Sequence, residues 1–210
     1  MKLHGYWRST AAWRVRLALG IKRLEFESVA VNLAASEQRG AAHLALNRQG
    51  LVPVLEHEGA VLTQSLAIIE YLDERFPSPA LLPADALGRA RVRSAALTVA
   101  ADVHPLGNLR VQRWLRAEMH QDDAAVTRWL HHWMRDGLAS LEQFAGQYGG
   151  NCLYGDAPGL ADVCLLPQLY NARRFGLALD EFPRLMTVEA GLSTRDWVIA
   201  AHADAQRDSP

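Results

Sequence analysis

The chain is poor in the features that announce several functions. It has only two cysteines among 210 residues, Cys152 and Cys164, and no CxxC. That excludes a dithiol oxidoreductase and fits a reducing cytoplasmic setting with free thiols. No run of 18 apolar residues occurs, so no transmembrane span is expected. Arg8, Arg14 and Arg16 interrupt any secretory signal pattern at the N-terminus. With 22 basic and 23 acidic residues the formal net charge is −1, leaving no basic excess to attract nucleic acid or a membrane surface. The eight histidines form no HExxH, and the His131-His132 pair has no partner at ligand spacing, so no metal site is expected. Lysine is nearly absent, with Lys2 and Lys22 alone. An abundance of arginine is therefore a general bias, and only individually placed arginines are informative.

What is present is a soluble composition, 50% hydrophobic and 21% charged, long enough for one large domain or two small ones. Strands are expected at residues 3–7 and 28–31, with a helix at 11–19 between them that Gly20 is placed to end. A weaker helix at 40–46 follows. LVPVLEHEGAVLTQS then reads as a hairpin, 51–56 and 61–63, turning at Glu58-Gly59. Ser65 is placed to cap the next helix, in which Ile68, Ile69 and Leu72 recur at helical spacing. This β-α-β-α-β-β-α order implies an α/β layer on a mixed sheet. The three prolines of FPSPALLP (Pro77, Pro79, Pro83) end the pattern and read as a linker. Beyond it only helices are expected, at 86–118, 123–147, 160–175 and 193–203. The expected division is an α/β domain at 1–78, a linker at 79–85 and an all-α domain at 86–210.

Three polar features fall on three separate turns of the small sheet. Arg8-Ser9-Thr10 lies where the first strand meets the first helix. One hydroxyl there would serve as an N-cap, while the helix N-terminus also suits an oxyanion or a thiolate, whose thiol would have a lowered pKa. In Leu51-Val52-Pro53 the proline marks either an unpaired edge or a cis bond that turns the Val52 backbone outwards towards an extended ligand. Gln64-Ser65 is either another cap or a carboxylate site at a helix N-terminus. A peptide-like molecule with a thiol and carboxylates would use all three, and the tripeptide glutathione has that chemistry. In the helical part, His104-Pro105 predicts a kink within a long helix that leaves His104 and Asn108 one turn apart. Arg173-Arg174 reads either as an ordinary basic helix C-terminus or as a binding pair.

With these residues in hand, the chain resembles the zeta class of glutathione transferases, a thioredoxin-like domain followed by a helical one. RSTAAWRVRLAL resembles the class signature, usually written near SSCSWRVRIAL. LVPVLEHEGAVLTQSLAIIEYLDE, DVHPLGNLRV and LADVCLLPQLYNARRF extend the resemblance in order from Trp7 to Phe175. The class contains maleylacetoacetate isomerases and the similar bacterial maleylpyruvate isomerases.

The resemblance implies roles residue by residue. Ser9, with Thr10 beside it, matches the serine that holds the glutathione thiolate. Gln38, Val52 with Pro53, Gln64 and Ser65 match glutathione contacts, as do His104, Asn108 and Arg110 from the helical domain. Arg8, Arg110 and Arg174 match arginines that receive substrate carboxylates. The implied activity is glutathione-dependent cis-trans isomerisation of a maleyl dicarboxylate to its fumaryl isomer: thiolate addition, rotation about the resulting single bond, then elimination. The implied assembly is a cytoplasmic homodimer pairing partly through residues 89–97, with no nucleic acid or membrane partner. A general transferase conjugating small electrophiles is the alternative, and a non-catalytic glutathione-binding scaffold a third reading that the presence of Ser9 disfavours. Arg14 and Arg16 are read as structural or interfacial.

Two positions depart from the class pattern. Ala11 occupies the signature cysteine, so any thiol chemistry must come from the bound tripeptide. Gly159 replaces the usual hydroxyl cap of the LAD helix, with Asp162 still placed to bond exposed N–H groups.

Overall fold

The computed structural model describes residues 1–209. Its backbone contacts divide the chain into two compact units, Met1–Leu81 together with Ser193–Pro210, and Leu82–Leu192. The sequence placed everything from residue 86 onward in one domain, so the position of the C-terminal segment with the first unit is a departure.

The first unit contains β1 (Lys2–Gly5), α1 (Thr10–Ile21), β2 (Glu27–Ala30), α2 (Ala41–Leu46), β3 (Val54–His57), β4 (Ala60–Thr63) and α3 (Ser65–Arg75). The described residues form one four-stranded sheet in the order β2-β1-β3-β4. β1 runs parallel to β2, with Leu3 opposite Ser28, and antiparallel to β3, with Leu3 opposite Leu55. β3 pairs antiparallel with β4. The helical crossover forces the first relation and the tight hairpin the last. Val54 and Leu55 are both wholly buried although their side chains point to opposite faces, as an interior strand covered on both sides requires.

α1 packs against both α3 and the later helix α9 (Asp196–Ala201), with Trp13, Val15, Leu17 and Leu19 of α1 and Ile68, Ile69 and Leu72 of α3 all buried. Gly20 does not end α1, which continues to Ile21. A Cβ on Gly20 would lie 3.0 Å from the Cβ of Trp197, so glycine is needed for the close approach of α9. Lys22, one of the two lysines, is buried and fully engaged: its ammonium meets Asp73 at 2.8 Å and the carbonyls of Phe76 and Pro79 at 2.6 and 2.9 Å. This ties the first part of the proline-rich stretch to the α/β unit.

The second unit contains α4 (Ala86–Leu97), a π-helical segment (Thr98–Val103), α5 (Leu109–Ala117), α6 (Asp123–Tyr148), α7 (Leu160–Arg174) and all but the last residue of α8 (Pro183–Ser193). The single helix expected at 86–118 is thus three pieces. Pro105 has no amide to continue the ladder, and the Asn108 side chain starts a new helix by accepting the Arg110 N–H at 3.0 Å. α7 is buried along nearly its whole length and packs against α4. Gly137 lets α6 approach the π-helical segment, because a Cβ there would fall 2.1 Å from a Val103 methyl.

α8 was not expected from the sequence. Its first N–H groups are bound by the Glu142 carboxylate from α6, at 3.1 Å from Arg184 and 3.0 Å from Leu185. That cap is remote in sequence and complements the positive end of the helix.

Candidate active site

Ser9 is the N-cap of α1, and its hydroxyl oxygen accepts the Ala12 N–H at 3.2 Å. The cap occupies a lone pair and leaves the hydroxyl proton available to donate. Capping and thiolate binding, weighed against each other in the sequence, are therefore compatible at one side chain. Thr10 is the first residue of α1 and buried.

Arg8 precedes this cap. Its guanidinium carbon lies 4.8 Å from the centre of the Trp7 ring, and no hydrogen bond or ion pair to it occurs among the described residues. Arg14 and Arg16 are both buried in α1, in keeping with a structural role. Arg14 does more than pack, since its Nη1 donates to the Ser65 hydroxyl at 3.3 Å. Arg16 donates to the carbonyls of Trp7 at 2.9 Å and Ala201 at 3.1 Å. Burial pulls the Arg16 pKa down to about 10, partly offset by the attraction of Asp208.

Ser65 does not cap α3 as expected. Gln64 occupies the cap position, with φ +69 and no side-chain cap bond, and Ser65 is the first helical residue. A left-handed φ at a glutamine is uncommon and is found where a site over-determines the backbone. Gln64 Nε2 donates to Gln49 Oε1 at 2.9 Å, a partner that the sequence reading did not single out. The Val52-Pro53 bond is cis, and the Val52 backbone makes no hydrogen bond among the described residues. His43 and Asn47 fix the preceding carbonyl of Leu51, each at 2.9 Å. Gln38 is 7% exposed, and its Oε1 is buried without a partner among the described residues.

An orphaned acceptor, an unpaired stretch of backbone and two serine hydroxyls at helix starts suit a ligand rich in amides and carboxylates. Glutathione fits this donor and acceptor set: Gln38 and Val52 could take its amides, Gln64 and Ser65 a carboxylate, and Ser9 its sulfur.

In the second unit, His104 closes the π-helical segment, its N–H bound to the Val99 carbonyl at 2.8 Å, whereas Asn108 caps α5. The two do not lie on successive turns of one helix, which corrects the expected spacing. Arg110 is exposed on the first turn of α5, with no hydrogen bond or ion pair to its side chain among the described residues. The two arginines ending α7 differ. Arg173 is locked onto Glu189, whose hydrogen bond raises the Arg173 pKa. Arg174 bonds Asn171 at 3.4 Å and stacks on Phe175 with 4.6 Å between guanidinium carbon and ring centre. Both arginines lie in the last turn of α7, and of the two Arg173 is the one paired with Glu189.

α7 begins at Gly159, and the buried Asp162 carboxylate binds the Gly159 N–H at 2.9 Å and the Leu153 N–H at 2.8 Å. Burial pushes its pKa up to about 6, against the pull of these bonds.

Residues 1–74 match the model of the glutathione S-transferase N-terminal domain. The whole chain is 49% identical to a maleylacetoacetate isomerase of Pseudomonas aeruginosa, covering 100% of this chain and 99% of the relative. It superposes with TM-score 0.98 on a holo maleylpyruvate isomerase described as a bacterial zeta-class glutathione S-transferase, at 42% identity with both chains fully covered. A maleylacetoacetate isomerase of Anaeromyxobacter dehalogenans with glutathione in its active site gives TM-score 0.90 at 46% identity, covering 100% of this chain and 97% of the other. The chain belongs to the zeta-class glutathione transferases, in the family of maleylacetoacetate and maleylpyruvate isomerases.

Proposed function

We propose that this protein is a glutathione-dependent cis-trans isomerase that converts a maleyl dicarboxylate, maleylacetoacetate or maleylpyruvate, to its fumaryl isomer. The observation that carries the reading is the junction at residues 8–9. A hydroxyl fixed at a helix N-terminus stands next to an arginine whose guanidinium has no carboxylate of the described protein to neutralise it. Bound glutathione would supply the thiolate that adds to the conjugated double bond and departs after rotation.

The chain's own contribution is electrostatic. Ser9 donates its hydroxyl proton towards the sulfur, and the N-terminal end of α1 favours the anion over the thiol. Gln38, Val52, Gln64 and Ser65 hold the tripeptide, with His104 and Asn108 assigned to the same ligand. Arg8, Arg110 and Arg174 bind substrate carboxylates by charge-assisted hydrogen bonds. The small number of cysteines, two and both buried, supports a cytoplasmic setting, and the partly exposed Leu87 and Leu97 on α4 support pairing of two copies through that face.

Purified protein assayed with each maleyl substrate, with and without glutathione, tests the reading. Isomerisation that requires glutathione supports it. Conjugation of electrophiles without isomerisation of either substrate would favour the general transferase.

A further inference from the structure

The C-terminal segment reaches the one turn on which the proposed chemistry depends. After α9 a short 3-10 turn (Ala203–Ala205) is tied down by Gln206, whose side chain donates to the carbonyls of Ala200 and His202 at 3.0 and 2.8 Å. The His202 ring packs edge-on against Trp13 of α1, with centroids 4.9 Å apart. Two residues beyond Gln206, Asp208 Oδ2 accepts the backbone N–H of Trp7 at 2.9 Å. The carbonyl of the same Trp7 is held by Arg16, which also holds Ala201. Both backbone polar groups of the residue preceding Arg8 are thus engaged by the C-terminal segment or by an arginine anchored to it. Trp7 is in turn the ring on which Arg8 rests.

We infer that Asp208 and Arg16 form a latch that aims Arg8, making them positioning residues for recognition of the substrate carboxylate. The inference rests on the proposed role of Arg8. Ser9 has its own anchor, the bond from Ala12, so its position does not need the latch. Released from Asp208, Trp7 would lose one of its two backbone tethers, and the ring beneath Arg8 would move with it. Substrate selectivity would then change more than the handling of glutathione. Misplacing a substrate-positioning group by about 1 Å can cost about a hundredfold in rate, and the smaller shift expected from losing one of two tethers should cost about tenfold.

The experiment compares Asp208→Ala, Asp208→Asn, Arg8→Ala and the Arg8→Ala/Asp208→Ala double variant in the full-length protein. Asp208 is partly exposed, so these substitutions leave the core intact. Two quantities are read: the ratio of kcat/KM for maleyl isomerisation to that for conjugation of a neutral aryl chloride, and the hydrogen-exchange rate of the Trp7 amide. For Asp208→Ala the ratio falls about tenfold and Trp7 exchange accelerates. Asp208→Asn, which keeps an acceptor oxygen, recovers most of both. Adding Asp208→Ala to Arg8→Ala lowers the ratio no further. A merely stabilising tail would lower both reactions together and leave the ratio unchanged, and that result overturns the inference. If Arg8→Ala lowers the ratio but Asp208→Ala does not, the latch alone is wrong. If Arg8→Ala isomerises normally, the assignment of Arg8 is wrong and the latch has no substrate role.

Discussion

Arg14 Nη1 donates to the hydroxyl oxygen of Ser65 at 3.3 Å, joining α1 to the first turn of α3 from inside the first unit. Ser9 and Ser65 thereby share one arrangement. Each begins a helix, each accepts a hydrogen bond from the protein, and each keeps its own proton for a ligand. If Ser65 holds glutathione, Arg14 supports that site from inside the fold without touching the ligand.

This relation predicts that Arg14→Met weakens glutathione binding about tenfold and costs about 2–4 kcal/mol of stability, because a buried charged donor is removed. Ser65→Ala should weaken binding at least as much. Calorimetric titration and urea unfolding of each variant check this. Unchanged affinity in Arg14→Met would show that Ser65 needs no such support.

Glutathione should raise the melting temperature of the wild-type protein by mass action. At one hundred times its Kd the stabilisation is about 2.7 kcal/mol. An isomeric tripeptide with an ordinary α-linkage should give little, since Gln64 and Ser65 are assigned to the γ-glutamyl end. Equal shifts with both peptides would contradict that assignment.

Asp162 makes stability depend on pH in a direction opposite to that of most carboxylates. In the folded chain it holds its proton up to about pH 6, whereas its ordinary value is 3.8. The folded state therefore binds the extra proton in this window. Its contribution is full below about pH 4 and is lost as pH rises through 6. Asp162→Asn cannot titrate, and it also turns a donor towards N–H groups, costing about 2–4 kcal/mol. The difference in unfolding free energy between wild type and variant should fall between about pH 4 and 6 and level off above. Parallel pH profiles for the two proteins would remove the prediction.

The order of strands and helices in the first unit was legible because each element carries a local signal, and the polar turns stood out against it. What escaped the sequence depended on partners distant along the chain. α8 has a helical repeat in Leu185, Val188 and Leu192, yet its cap comes from Glu142 on another helix. Gly20 looked like a helix stop and is instead a point of contact with Trp197. Ser65 looked like a cap, but its oxygen is engaged by Arg14. The His104-Pro105 break was anticipated as a kink, while the side chain of Asn108 makes it the start of a separate helix. The attachment of the C-terminal segment to Trp7 joins residues 201 positions apart, beyond the reach of any periodicity.

Assembly provides a separate check. Two copies paired through the α4 face give about 46 kDa in light scattering, twice the 23.2 kDa of one chain. Placing a charge there, as in Leu97→Glu, should shift the protein towards 23 kDa, since a buried unpaired charge is costly. A wild-type protein of about 23 kDa at micromolar concentration would contradict the pairing.

The most direct test of the account uses Arg174→Ala, measuring kcat/KM for a maleyl substrate and for a neutral aryl chloride with the same glutathione-saturated enzyme. If Arg174 binds a substrate carboxylate, isomerisation loses about 2–4 kcal/mol of transition-state stabilisation while conjugation and glutathione affinity barely change. Ser9→Ala should depress both reactions, because both need the thiolate. Equal losses of isomerisation and conjugation in Arg174→Ala would contradict the carboxylate assignment and favour a general transferase.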